Sequence, residues 1–184
     1  MDELLNTYLE KGEKILWDGH PEPFTTLDRT HKQPFTRKLV ITLITTAILL
    51  ALYILFVDDM KPLIVVVVLI IAAYICVSTH MNAWQLKKAR YLITDRRIIV
   101  MNNDFTSAHF DEIPMAFFRK DADGHTSLVC GEYAIKLAPH KWRGYSAAGA
   151  RIESDSRLCD SLILYAIPEP AKVKEILKPY LTVN

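Results

Sequence analysis

Two uncharged apolar runs, Leu39–Val57 and Leu63–Val77, stand close together and constrain this chain more than any other feature. As a helix rising about 1.5 Å per residue, the first run nearly matches the roughly 30 Å hydrocarbon core of a bilayer. The second is shorter and extends through Ser78 and Thr79 toward Trp84. The link Asp58-Asp59-Met60-Lys61-Pro62 is a turn by composition. Asp can cap the next helix, and Pro62 suits a first helical turn, where its missing N–H has no partner anyway. The pattern predicts a transmembrane helical hairpin over 39–84, with spans of about 39–57 and 63–79. Helices satisfy their own backbone groups, which lipid cannot do. The competing reading is a core hairpin of a soluble fold, and the lack of charge across both runs speaks against it. A cleaved signal sequence fits poorly, because a long polar stretch, 1–38, precedes the first run.

The flanking charges give the hairpin a direction. Arg29, Lys32, Arg37 and Lys38 precede the first run, and Lys87, Lys88 and Arg90 follow the second. The link has one cation, Lys61, against two Asp. The positive-inside bias places both termini in the cytoplasm, with Arg37, Lys38, Lys87, Lys88 and Arg90 marking the inner face. The expected location is the cytoplasmic membrane, integral and multi-pass. Neither run contains Asp, Glu, Lys, Arg or His, the usual mark of an ion or proton path. Thr42, Thr45, Thr46, Ala72 and Ala73 read as helix-packing residues.

Outside the hairpin the sequence is ordinary globular sequence. The segment 89–184 is long enough for one small domain, and its Lys and Arg nearly balance its Asp and Glu. That balance argues against a nucleic-acid partner. Cys76, Cys130 and Cys159 form no CxxC pair and suit neither a disulfide framework nor a zinc site. Free thiols fit a reducing compartment.

The lead, 1–38, begins with Leu4, Leu5, Tyr8 and Leu9 at helical spacing up to Gly12, followed by a strand-like run at Lys14–Trp17 and a turn at Asp18–Pro21. After the hairpin the period becomes extended. Tyr91–Thr94 and Ile98–Met101 read as a β-hairpin around Asp95-Arg96-Arg97. Further strands are expected at Ser107–Phe110, Met115–Arg119, Ser127–Cys130, Tyr133–Leu137 and Ser161–Ala166. Closely spaced strands suggest a small antiparallel barrel or sandwich. A closing amphipathic helix over 169–181 presents Val173, Ile176, Leu177, Tyr180 and Leu181 as one stripe.

Three stretches resemble one family. Tyr91-Leu92-Ile93-Thr94-Asp95-Arg96-Arg97-Ile98-Ile99 resembles the opening of membrane-anchored bacterial pleckstrin-homology-like domains. Gly12-Glu13-Lys14-Ile15-Leu16-Trp17-Asp18-Gly19-His20-Pro21 is similar to the lead found before the hairpin in such proteins. Ile167-Pro168-Glu169-Pro170-Ala171-Lys172-Val173 resembles their entry to the last helix. The resemblance implies an α+β membrane protein: a two-helix hairpin plus a seven-stranded, two-sheet antiparallel barrel capped by a C-terminal helix. It implies a binding or assembly module rather than an enzyme, with no settled activity. The segment Lys141–Asp160 departs from that pattern, being longer and more polar.

Two places stand out as candidate contact residues. Arg96 and Arg97 lie at a strand turn, where basic residues of many eukaryotic pleckstrin-homology domains grip lipid phosphates. The plainer reading is turn chemistry with solvated arginines. Trp142, Arg143 and Tyr145, with Arg151 and Arg157, combine the aromatic and Arg side chains typical of interaction anchors. A solvent loop is the alternative. His109, Asp111 and Glu112 lack a third metal ligand at usable spacing, and Cys130 with His125 or His140 lacks an orienting group. No cofactor, metal or catalytic residue is expected. The expected partners are the bilayer and either a protein or further copies of the chain. The alternative is sensing of anionic headgroups through Arg96, Arg97 and the juxtamembrane cations.

Overall fold

The structure is a computed structural model, and it describes residues 8–57, 61–102, 105–121, 123–142 and 161–182. The chain forms β1 (Ile15–Gly19), α1 (Arg29–Phe56), α2 (Pro62–Lys87), β2 (Arg90–Thr94), β3 (Arg97–Met101), β4 (Phe105–His109), β5 (Ala116–Lys120), β6 (Thr126–Cys130), α3 (Glu132–Lys136), β7 (Leu162–Leu164) and α4 (Pro170–Leu177). It is an α+β protein with two antiparallel sheets, ordered β1-β2-β3-β4 and β5-β6-β7. No strand pairing among the described residues joins the two sheets, so of the barrel or sandwich that the strand spacing suggests the chain forms two separate sheets, not the barrel that the resemblance implies.

The lead belongs to the first sheet. β1 pairs antiparallel with β2, Trp17 opposite Ile93 and Gly19 opposite Tyr91. The helices are therefore inserted into a sheet, between two strands that are neighbours in space. Gly19 is required by close packing, since a Cβ there would lie 2.5 Å from Cζ2 of the buried Trp17 ring.

One core unites three parts of the chain. Tyr91 and Ile93 (β2), Ile98 and Val100 (β3), Leu128 and Cys130 (β6), and Leu162 and Leu164 (β7) meet Val173 and Leu177 of α4. Trp17 and Phe24 of the lead enter the same cluster, as do Ala83 and Leu86 from the last turns of α2. Pleating sends alternate residues outward, and those faces are covered too. Leu92 and Ile99 pack with Leu9 and Met101. Val129 and Ile163 pack with Ala134, Ile135, Leu137 and Trp142.

Two predicted elements differ. Tyr133–Leu137, expected as a strand, lies in α3 and the turn that follows it. Gly131, at φ +88°, turns the chain out of the sheet. Ala134, Ile135 and Leu137 of that stretch then lie over the outer face of β6 and β7. The C-terminal helix ends at Leu177 rather than 181, with Pro179 just beyond, where continued helical bonding would lose a donor.

α1 begins at Arg29, well before the apolar run, capped by Asp28, whose carboxylate accepts from the His31 backbone N–H. It is long and apolar enough by itself to cross a membrane, and none of its apolar window is buried in the protein. That exposure is unlike a core helix of a soluble fold. α2 meets the same test only as two pieces, Pro62–Ser78 and His80–Lys87, bent by 41°. α1 and α2 lie antiparallel, since Lys38 Nζ donates to Ser78 Oγ at one end and the Lys61 N–H donates to Tyr53 Oη at the other.

Because β1 completes the first sheet, residues 89–184 expressed alone should remain insoluble or molten. Joining 8–25 to 89–184 through a flexible linker should restore a cooperative melt and dispersed amide resonances.

Candidate functional site at the junction of helices and sheets

Both ends of the helical pair meet the sheets at one junction, and the buried polar groups of the described residues form two main sets, one at the far end of β1 and β2 and one at the foot of α1. The first group lies where the lead crosses the β2–β3 turn. Arg97 sends Nε to Glu13 Oε1 at 2.9 Å and Nη2 to Glu13 Oε2 at 2.8 Å, a two-pronged pair. Its Nη2 also donates to the Tyr8 carbonyl at 2.9 Å. The Thr94 hydroxyl donates to Glu13 Oε1 at 2.7 Å and accepts from the backbone N–H of Arg97 at 3.0 Å. Burial alone would raise the Glu13 pKa. The bonds from Arg97, the Glu10 N–H and Thr94 outweigh it and hold the carboxyl at about 2. The same pair raises Arg97 further.

The lead motif and the strand-turn motif thus form one buried contact. Arg97 is a structural cation with its donors committed, whereas Arg96 is half exposed and pairs with Glu10 at 3.1 Å. Arg90 forms a two-pronged pair with Asp18, Nε to Oδ1 at 2.8 Å, tying β2 to β1. Lys87 sits 5.5 Å from the Phe24 ring, and Lys88 lies over Trp84 at 3.5 Å.

Trp142, expected as an exposed anchor, is a core residue with 1% exposure, and its indole N–H donates to the Leu137 carbonyl at 3.3 Å. Arg143 and Tyr145 lie outside the described residues, as do Arg151, Arg157 and Cys159. Arg37 is exposed and Lys38 half-buried, both on α1 at the junction end of the helical pair.

A second polar group was not singled out from the sequence. Asp28 and His31, from the start of α1, meet Asp121, Asp123 and His125 from the β5–β6 turn, with Tyr165 between them. His31 Nδ1 donates to Asp28 Oδ1 at 2.7 Å. His125 Nδ1 lies 3.0 Å from Asp123 Oδ2, and the Tyr165 hydroxyl donates to the same oxygen at 3.0 Å. Asp28 is within hydrogen-bonding reach of Asp123. Burial opposes ionisation of Asp123, but the bonds from His125 and Tyr165 win and lower it to about 2. Asp121 goes the other way. Its burial and the neighbouring Asp123 and Asp28 charges raise it to about 6 against the lowering Ser127 bond. Its Oδ1 has no hydrogen-bond partner among the described residues. In the sequence, Asp121-Ala122-Asp123-Gly124 has only the composition of a turn. Asp28 and Asp121, on opposite sides of the helical pair in sequence, had to meet before the cluster existed.

Among the described residues no set of three His, Cys, Asp or Glu side chains is arranged to hold a metal ion. The two groups thus comprise structural ion pairs and a proton-sensitive cluster. The chain matches no protein-family model, no curated protein and no solved structure.

Two pH responses follow. Glu13 has a lowered folded pKa, so its contribution is present above the ordinary value of 4.5 and is lost as pH falls toward about 2. Glu13→Gln should lower neutral-pH stability by about 3 kcal/mol, by leaving Arg97 uncompensated, and should flatten that acid limb in denaturant titrations. Asp121 has a raised folded pKa, so stability falls as pH rises from 3.8 to about 6. Asp121→Asn should therefore stabilise the protein at pH 7 by on the order of 1 kcal/mol and remove that slope.

Proposed function

We propose that the chain is a non-enzymatic, membrane-tethered interaction or assembly module. In this reading two spans anchor a pleckstrin-homology-like domain at the cytoplasmic face, with both termini inside. The observation that carries it is the contrast between the two halves of the molecule. The sheets bury apolar residues on both faces, whereas α1 and α2 leave theirs uncovered, with Leu55 at 75%, Phe56 at 79% and Leu63 at 73% exposure. Such continuous apolar exposure calls for lipid or another protein.

Direction comes from charge. Neither α1 nor α2 has an acidic residue, and Arg29, Lys32, Arg37, Lys38 and Lys87 all lie toward the junction with the sheets. By the positive-inside bias that end is cytoplasmic. Seven antiparallel strands in sheets of four and three, followed by a helix, support the pleckstrin-homology-like assignment. Tethering raises local concentration, so weak contacts suffice for a partner or for self-assembly. A docking strand at an edge such as β4 would add backbone hydrogen bonds to the sheet. Headgroup recognition through Arg96 and Arg97 draws less support, because Glu13 and Glu10 already occupy them.

Two measurements test this reading. The protein should resist extraction by alkaline carbonate, and reporters at position 59 and at the C-terminus should report opposite sides of the membrane. Crosslinking in native membranes followed by mass spectrometry should return a defined homo-oligomer or a recurrent protein neighbour. Carbonate-soluble protein would sink the anchor, and a monomer with no crosslinked neighbour would sink the assembly role.

A further inference from the structure

We infer that the groove between α1 and α2 is a binding site for one anionic phospholipid of the surrounding leaflet, with its phosphate at Arg37 and Lys38 and an acyl chain lying between the helices. This rests on the membrane-anchored reading above and adds a ligand to it.

The groove has two parts that share Ile41 and Thr42. The upper part, about 540 Å3, is a hollow lined among the described residues by α1 alone, with Gln33, Pro34, Arg37 and Lys38 above those two residues. The lower part, about 280 Å3, runs from Ile41 to Leu49 on α1 and from Val68 to Ile75 on α2. From Arg37 to Leu49 the helix rises about 18 Å at roughly 1.5 Å per residue, enough to hold much of one acyl chain. The lower walls are branched aliphatics, with Ala72 and three threonines keeping the floor low.

Charge identifies the occupant. Lys38 stands at the groove top, with Nζ on Ser78 Oγ at 2.8 Å, and so fixes a cation between the helices. Arg37 beside it is exposed and forms no ion pair or hydrogen bond with another described residue. A planar guanidinium is well shaped to grip two phosphate oxygens. Gln33, one turn above Arg37, adds an amide donor. A zwitterionic headgroup would bring its own cation into a positive field that no acid of either helix offsets. A phospholipid with net negative charge suits the same place.

The test uses the full-length protein reconstituted in vesicles of equimolar phosphatidylglycerol and phosphatidylcholine, then extracted in mild detergent. Retained lipid is quantified by mass spectrometry. Wild-type protein should retain phosphatidylglycerol over phosphatidylcholine by about fivefold for each cation engaged. Arg37→Gln should pull that ratio toward the supplied mixture. Ala72→Leu keeps every charge and fills the groove, so it should lower the total of both lipids. Circular dichroism and carbonate resistance establish that each variant is folded and inserted.

An unselective ratio in wild type, or a ratio untouched by Arg37→Gln, overturns the inference. So does retention of no lipid by a protein–detergent complex whose mass shows two copies, because a second chain then fills the groove. Protein that resists carbonate yet holds no phosphatidylglycerol loses only this inference. Protein that carbonate extracts loses the anchor itself.

Discussion

The pairing of Glu13 with Arg97 joins segments 84 residues apart and holds the lead onto the β2–β3 turn. Its side chains are almost wholly enclosed, with 0% exposure at Glu13 and 9% at Arg97. Thr94 and the Tyr8 carbonyl take up bonding capacity that the pair leaves over. An enclosed ion pair adds little over a well-packed apolar pair, but losing one partner strands the other. Its main effect here is register. It allows one alignment of β1 against β2, with Arg90–Asp18 as a second pin along the same two strands.

Register in turn decides how the helices leave the sheets. β1 and β2 are neighbours, so α1 starts and α2 ends on one side of the fold. Ala83 and Leu86 of α2 are buried in the sheet core, and Asp28 and His31 of α1 sit against the β5–β6 turn and Tyr165. The helical pair is thus socketed in the β-domain at both feet. A displacement of either helix acts directly on buried side chains.

The socket contains opposed ionisations. Asp123 is held charged by donors, while Asp121, with the Ser127 donor and two acidic neighbours, holds its proton to about 6. Two carboxyls on one turn titrate several pH units apart because their bonding differs.

The amphipathic and apolar periods were legible from the residues alone. Strands at 91–94, 98–101, 115–119 and 127–130 were found with ends close to those observed, because the pleated alternation and turn residues are local signals. So was the uncharged length of α1, because solubility in lipid is a sum over residues and needs no partner. Tyr133–Leu137 misled, since a short apolar stretch covering a sheet's outer face has the same alternation as a strand inside it. Arg97 and Trp142 misled for a related reason: residue type announces capacity for contact, not the direction from which the contact comes. Only the tertiary structure decided that Glu13 meets Arg97, that β1 belongs to a sheet whose other strands follow both helices, and that Asp28 joins Asp121 and Asp123. Each depends on loop closure across long stretches of chain, and closure is decided by the summed packing of a core rather than by any window of sequence.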